Sequence, residues 1–463
     1  MTEPDLLSLS VAALGEAYRR RTLSPVEVVT TALDRIAATD PVVGAFVHVA
    51  RDAALAQARA VEQVFREGGE PGPLAGLPVG VKDLVDVAGS PTEAGASLRT
   101  GRLATADAVV VTRLRAAGAV IVGKTRTDEF AYGASTPGTA NPWALDRVPG
   151  GSSGGSGAAV AARQCIAAIG TDTAGSIRIP AALCGVVGLK PTHGRVPRRG
   201  VVPLAWSFDN VGPLGRSVAD VAAVFDVIAD PPPRAAGRSR LGSAEVPHLP
   251  LGAARIGVPD NHVFDDVTPA VAAAVRSALA VLERLGAELV PVTVPEPDLY
   301  EAVLYTMLLP EAAAYHAEDF PARAEDYSAQ LRKALTIGST LSAVDYVQAQ
   351  RVRGVLQQAW RTMFADLDAI VAPTTPMTAV PRDQRFMAWP GGRTESVNSA
   401  YVRLCLAGNV TGYPAVSLPC GLDDEGLPLG LQVLAGPHQD RELLELVAVV
   451  EDHLAFDHRP PMA

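Results

Sequence analysis

The chain of 463 residues is 48% hydrophobic and 19% charged, which excludes intrinsic disorder, collagen-like repeats and coiled coil and predicts a compact fold with a sizeable core. Its 40 Lys and Arg against 50 Asp and Glu give a net charge of −10, which argues against a protein that grips nucleic acid phosphates or acidic membranes. The cysteines Cys165, Cys184, Cys405 and Cys420 form no CxxC pair, so neither a disulfide framework nor a thiolate zinc site is suggested, and no cofactor motif is visible.

In chain order, Leu6 to Asp40 carries a helical pattern, and Ser24-Pro25-Val26-Glu27 is a helix start with an N-cap Ser, Pro in the first turn and Glu three residues after the cap. The opening MTEPDLLSLS has no basic stretch followed by an apolar run, and no segment nears about eighteen uninterrupted apolar residues, so the expectation is a cytoplasmic chain without a membrane span. Between Leu74 and Val218, short β-branched runs at Val79 to Val81, Ala119 to Val122, Ile166 to Ile169 and Val186 to Leu189 alternate with Gly-rich turns and helical stretches. That texture predicts an α/β chain whose mixed or mainly parallel sheet is covered on both faces. Asp230 to Leu251, rich in Pro, Arg, Gly and Ser, reads as a surface excursion. After it come a strand at Arg255 to Val258, a long helix at Pro269 to Leu285 and a mostly helical region to Ala365. Further strands are expected at Ala369 to Ala372, Ala415 to Leu418 and Leu429 to Leu434.

Two motif matches fail on context. Gly118 to Thr125 has the spacing of a phosphate-binding loop, but Ala119 to Val122 is a β-branched run whose N–H groups belong in a sheet ladder rather than a cradle. Gly150-Gly151-Ser152-Ser153-Gly154 fits GxSxG, yet a nucleophile elbow needs a strand just before it, and Asn141 to Pro149 reads as a loop with two prolines. Nothing singles out His193, His316 or His438 as the base such a hydrolase would require.

A constellation remains: Pro78-Val79-Gly80-Val81-Lys82-Asp83, Gly150 to Gly157, and Gly170-Thr171-Asp172-Thr173-Ala174-Gly175-Ser176-Ile177-Arg178. Glycine beside serine brings backbone N–H groups close to a ligand, as an oxyanion site requires. A flexible linker is the bland alternative, but strand-like runs enclose both segments. Lys82 follows an apolar run: it is either a partly buried lysine with base character or a surface lysine that snorkels.

Through these motifs, with Gly123-Lys124-Thr125, Glu129-Phe130-Ala131 and Gly188 to Gly194, the sequence resembles the amidase signature family of Ser-cisSer-Lys hydrolases. The resemblance is close from Leu74 to about Val218 and weaker elsewhere. It implies the amidase-signature α/β fold, a central mixed β-sheet with helices on both faces. The parts expected are an N-terminal helical segment over 1–70, the signature core over 71–230, the excursion over 231–252 and the remainder over 253–463. It also implies Ser176 as nucleophile, Ser152 as bridging serine, Lys82 as base, and a cis peptide between Gly151 and Ser152. Backbone N–H groups of Thr173, Ala174, Gly175 and Ser176 would form the oxyanion hole, with Ala174 standing where a Gly is frequent in the family. Ser153 would hold Lys82; Asp172 with Arg178 would be a buried pair, unless Arg178 meets an anionic substrate.

The implied activity is hydrolysis of a small amide, or of a urea-like or biuret-like compound, with no metal, cofactor, nucleic acid or membrane, by a homodimer. The rival is the glutaminase component of a tRNA-dependent amidotransferase, which needs a partner subunit. Arg403, ahead of Asn409, would suit a carboxylate or neutral amide better than a glutamine α-amino group, if it is not simply on a helix surface. Specificity is expected from the excursion and from Met307 to His316, with Trp206, Phe208 and Tyr132 as candidate pocket walls.

Overall fold

The computed structural model describes residues 5–231, 252 and 254–463. The helical pattern at the N-terminus divides into a short turn, Leu6–Ser8, and two helices, Val11–Arg19 and Pro25–Val43. The second starts with a full capping box: Ser24 Oγ accepts from the first turn, and the Glu27 carboxylate accepts from the Ser24 amide at 2.7 Å.

Strands β1 (Phe46–Val49), β2 (Pro78–Lys82), β3 (Val120–Thr125), β4 (Ala167–Asp172), β5 (Val187–Lys190), β6 (Asn210–Gly215), β7 (Arg255–Pro259), β8 (Glu288–Val292) and β9 (Ala369–Pro373) lie in one sheet with β12 (Ala415–Leu422) and β13 (Pro428–Leu434). A separate hairpin joins β10 (Phe386–Ala388) to β11 (Thr394–Ser396). The order in the sheet is β1-β3-β2-β4-β6-β5-β12-β13-β9-β7-β8. It is mixed: β2 runs parallel to β3 and β4, and β7 to β8 and β9, while the pairs from β4 through β6, β5, β12 and β13 to β9 are antiparallel.

Helices cover both faces because successive strand residues face opposite ways. Val120 and Val122 pack with Val29, Leu33 and Ala158 on one side, whereas Ile121 packs with Val111, Leu114 and Val221 on the other. A further core lies beneath helices Leu299–Tyr315, Ala329–Gly338 and Ala343–Met363 and includes Phe130, Leu204 and Phe208. The segment 1–70 is not wholly helical, since β1 pairs antiparallel with β3. Strand β6, which the sequence pattern does not predict, lies in mid-sheet between β4 and β5. The sheet continues through 253–463, and residues 232–251 of the excursion lie outside the described residues.

The phosphate-loop match is settled by β3. Its lysine, Lys124, is fully buried and donates to Asp83 Oδ1 at 2.9 Å, Pro91 O at 2.7 Å and Thr92 Oγ1 at 2.9 Å. No helix among the described residues is long and apolar enough to cross a membrane.

Candidate active site

Parallel pairing brings the candidates together. Val81 lies opposite Ile169 in the β2–β4 ladder, so Lys82 at the end of β2 stands beside Thr171 near the end of β4. The chain after β4 runs through Thr173 to Ile177 into helix Arg178–Cys184, and Ser152 and Ser153 precede helix Gly154–Ala161.

Lys82 is wholly buried, and its Nζ lies 2.8 Å from each of three hydroxyls, Ser152 Oγ, Ser153 Oγ and Thr171 Oγ1. Burial lowers its pKa from 10.5 to about 7, against the pull of the Asp128, Asp172 and Asp209 carboxylates toward the charged form. Ser153 binds the neighbouring strand in both directions: its Oγ donates to Thr171 O at 3.1 Å and accepts from the Thr171 amide at 3.2 Å. The peptide between Gly151 and Ser152 is cis. Gly151 is confined to glycine because a Cβ there would strike Asp128 Oδ2 and lie 2.6 Å from the Ser135 amide nitrogen.

Ser176 is buried, and its carbonyl accepts from the Ser153 amide at 3.2 Å, which ties the nucleophile loop to the bridging-serine loop. Its Oγ hydrogen-bonds no group among the described residues. Of the four amides expected at an oxyanion hole, that of Gly175 donates to Asp172 Oδ1 at 2.8 Å, whereas those of Thr173, Ala174 and Ser176 have no acceptor among the described residues.

Arg178 and Asp172, both fully buried, form a bidentate pair, with Nε to Oδ2 and Nη2 to Oδ1 each at 3.0 Å. Burial alone would raise the Asp172 carboxyl, but Arg178 holds it well below the usual carboxylate range. The other guanidinium hydrogens go to Cys405 O at 3.0 Å, Gln432 Oε1 at 2.5 Å and Asn409 Oδ1 at 2.5 Å. All five donors of Arg178 are occupied, so it has none for an anionic substrate. Arg403 is turned away from the serines: it donates to Asp265 O at 3.1 Å and Asp266 O at 2.8 Å, its Nε lies 3.6 Å from the Glu395 carboxylate without a hydrogen bond among the described residues, and it covers the Trp389 ring.

A cavity of about 410 Å³ opens onto Thr171 and Thr173. Half of its lining residues are aliphatic, and the others include Trp206, Tyr315 and Arg198. Phe208, expected there, is buried under the Arg353 guanidinium at 4.6 Å, and Tyr132 is not among the lining residues. His316 pairs with Tyr327 at 3.1 Å, and His193 Nδ1 and His438 Nδ1 are buried without partners among the described residues, so none of these three histidines holds a serine of the site.

Asp128 and Asp209 were not singled out by the sequence. Asp128 accepts from the Thr136 amide at 2.9 Å and hydroxyl at 3.0 Å, and burial raises its pKa. Asp209 accepts from Thr173 Oγ1 at 2.7 Å and from the amides of Leu204 and Ala205 at 2.9 and 3.1 Å, and burial raises it to about 6. Neither stands in a spacing that marks it; only the fold carries them to Lys82. No cluster of metal-ligating side chains occurs among the described residues.

The sequence profile of the family described as Amidase matches residues 27–444. An amidase of Pseudomonas putida is 44% identical over 98% of both chains. A chain from a solved vestigial protein complex, described as revealing the evolutionary origins of an s-triazine catabolic enzyme, is 35% identical, with a TM-score of 0.88 over 96% of this chain and 99% of its own. The A-type component of the glutamyl-tRNA(Gln) amidotransferase of Thermotoga maritima is 31% identical, with a TM-score of 0.77 over 98% of this chain and 96% of its own.

Proposed function

The chain belongs to the amidase family and hydrolyses linear carbon–nitrogen amide bonds, and from that premise we propose that it cleaves small amides through Lys82, Ser152 and Ser176. The observation that carries the mechanism is the setting of Lys82: buried, ringed by three hydroxyls and without a carboxylate partner among the described residues, with burial lowering its pKa to about 7. A neutral amine has a lone pair for a proton; an ion-paired ammonium has none.

In this reading Lys82 draws the proton of Ser152 Oγ, which takes that of Ser176 as Ser176 Oγ attacks the amide carbonyl. The amides of Thr173, Ala174 and Ser176 receive the developing oxyanion, where one good donor contributes about 3 to 4 kcal/mol. Gly175, whose N–H is held by Asp172, shapes the loop instead. The proton returns through Ser152 to the leaving nitrogen, the C–N bond breaks, and an ester remains on Ser176. Water then repeats the cycle and releases the acid. The contact between Ser152 and Ser176 hydroxyls forms when substrate enters, as catalytic hydrogen bonds often tighten only in the complex.

Ammonia release from a panel of small amides, glutamine and biuret-like compounds tests this. Turnover that vanishes in both Ser176→Ala and Lys82→Ala is expected, and turnover surviving Lys82→Ala refutes the mechanism.

A second reading, the glutaminase component of a larger amidotransferase, is favoured by the likeness to the Thermotoga maritima protein. The higher identity to the Pseudomonas putida amidase and the higher TM-score to the chain of the vestigial complex support the first. Turnover by the chain alone separates them. Family likeness is also the ground for proposing a cytoplasmic homodimer, which sedimentation of the purified chain tests.

A further inference from the structure

The cavity at Thr171 and Thr173 is small for a ligand site, at about 410 Å³. Among the described residues that line it, Arg198 is the one cation and Asp209 the one carboxylate. The two are unequally engaged. Asp209 accepts from Thr173 Oγ1 and from the Leu204 and Ala205 amides, so its oxygens are occupied by the protein. Arg198 donates to Trp206 O at 2.5 Å, which fixes its guanidinium to the cavity loop, and its other N–H groups meet no acceptor among the described residues. No carboxylate lies within ion-pair distance of it among the described residues, whereas Arg178 is fully engaged by Asp172 and its neighbours, and neither Arg178 nor Arg403 lines this cavity.

The loop that carries Trp206 is itself fixed. Glu311 accepts from the Ser207 amide at 2.9 Å and hydroxyl at 2.6 Å, and Arg353 donates to Ser207 O at 3.0 Å. A guanidinium tied by one hydrogen bond to a held loop, with a free edge beside a cavity half lined by aliphatic residues, is a preorganised anion receptor. We propose that the substrate is an amide bearing a carboxylate, or a group of like charge and shape, across a short apolar spacer, and that Arg198 binds it. This rests on the amidase reading above and adds the substrate class.

The alternative role for Arg198 is to offset the Asp209 charge, and the two separate cleanly. An anion receptor favours charged substrates; a charge-balancing residue affects all substrates alike.

The test compares kcat/KM for succinamate and glutaramate with succinamide and glutaramide, in which a neutral carboxamide replaces the carboxylate, in the native chain, Arg198→Gln and Arg198→Lys. N-propionylglycine against its carboxamide shows whether the amine half carries the charge instead. The native chain is expected to prefer one charged amide by about tenfold to a hundredfold, the usual worth of a hydrogen bond to a charged group. That ratio should fall to near one in Arg198→Gln, through KM, and lie between in Arg198→Lys. A native ratio near one with the neutral amides hydrolysed, or a ratio unchanged in Arg198→Gln, overturns the inference and leaves the amidase reading standing. Failure to hydrolyse any of these amides, with no phosphonylation of Ser176 by a fluorophosphonate that loses fluoride to the serine oxygen, overturns both.

Discussion

If neutral Lys82 is the base, activity must follow its deprotonation. With the pKa lowered by burial from 10.5 to about 7, half of the molecules are competent at pH 7, about one in eleven at pH 6 and about ten in eleven at pH 8. The expected profile of kcat/KM rises about tenfold from pH 6 to pH 8 with its half-point near 7. The same group leaves a mark on stability. Between about 7 and 10.5 the unfolded chain holds the Lys82 proton and the folded chain does not, so folding stability gains up to ~1.4 kcal/mol for each pH unit in that window. Below pH 7 both states are protonated and the full penalty, up to ~5 kcal/mol, is present. Lys82→Met carries no such proton. It should be inactive, melt above the native chain at pH 6, and lose that advantage as the pH climbs toward 10. Stopped assays of kcat/KM across pH 5.5 to 9 and paired melting curves measure both. A flat rate profile, a half-point near 10, or a Lys82→Met melting difference independent of pH would refute the reasoning.

Arg178→Met leaves Asp172 buried without its cation, and chemical denaturation should show a loss of about 3 to 5 kcal/mol; a loss under 1 kcal/mol would mean the pair is not structural. Gly151→Ala drives a methyl into Asp128 and the Ser135 amide, so a stability loss of about 1 to 3 kcal/mol and the disappearance of turnover are expected from melting and ammonia release. Asp209 must be ionised to accept from three donors, and protonation near pH 6 loosens Thr173, so the native rate profile should steepen beyond one proton below pH 6. Asp209→Asn should lower kcat about tenfold or more, with KM less affected, and show a single-proton limb; an unchanged kcat would remove Asp209 from the positioning of Thr173.

The strands that carry the chemistry were legible because they are buried on both faces and read as apolar runs: β2, β3, β4 and β5 stand near the expected positions. Strand β6 was not, since Asn210-Val211-Gly212-Pro213-Leu214-Gly215 offers two glycines and a proline where β-branched residues are the usual signal. Gly212 is nonetheless required, because a Cβ would meet the carbonyl of Leu189 in the adjacent strand. The same limit applied to side chains. Lys82, Ser152 and Ser153 could be suspected from local texture and the family resemblance, but the approach of Thr171, Asp128 and Asp209 to Lys82 depends on pairings across the sheet. For the arginines, spacing alone left Arg178 and Arg403 open as anion binders; a count of donors closes Arg178, and Arg403 is turned to the Asp265 and Asp266 carbonyls and lines no part of the cavity.

Three buried lysines explain why Lys82 is the one suited to catalysis. Lys82, Lys124 and Lys190 are each wholly enclosed, and burial lowers the pKa of each. Lys124 lies one strand away, opposite Val81, but its ammonium is held by the Asp83 carboxylate at 2.9 Å, so taking its proton would strand a buried charge. Lys190 is lowered to about 7, as Lys82 is, but its ammonium meets Pro191 O at 2.9 Å and no hydroxyl among the described residues that could pass a proton. Of the three, Lys82 combines a lowered pKa, hydroxyl partners able to pass a proton in either direction, and a neighbour, Thr171, that lines the cavity. Asp128 and then Asp172 pull Lys82 most strongly toward the charged form, and a free carboxylate at 172 would strengthen that pull. The bidentate grip of Arg178 on Asp172 therefore does more than brace the nucleophile loop: by engaging the carboxylate it leaves Lys82 free to be neutral.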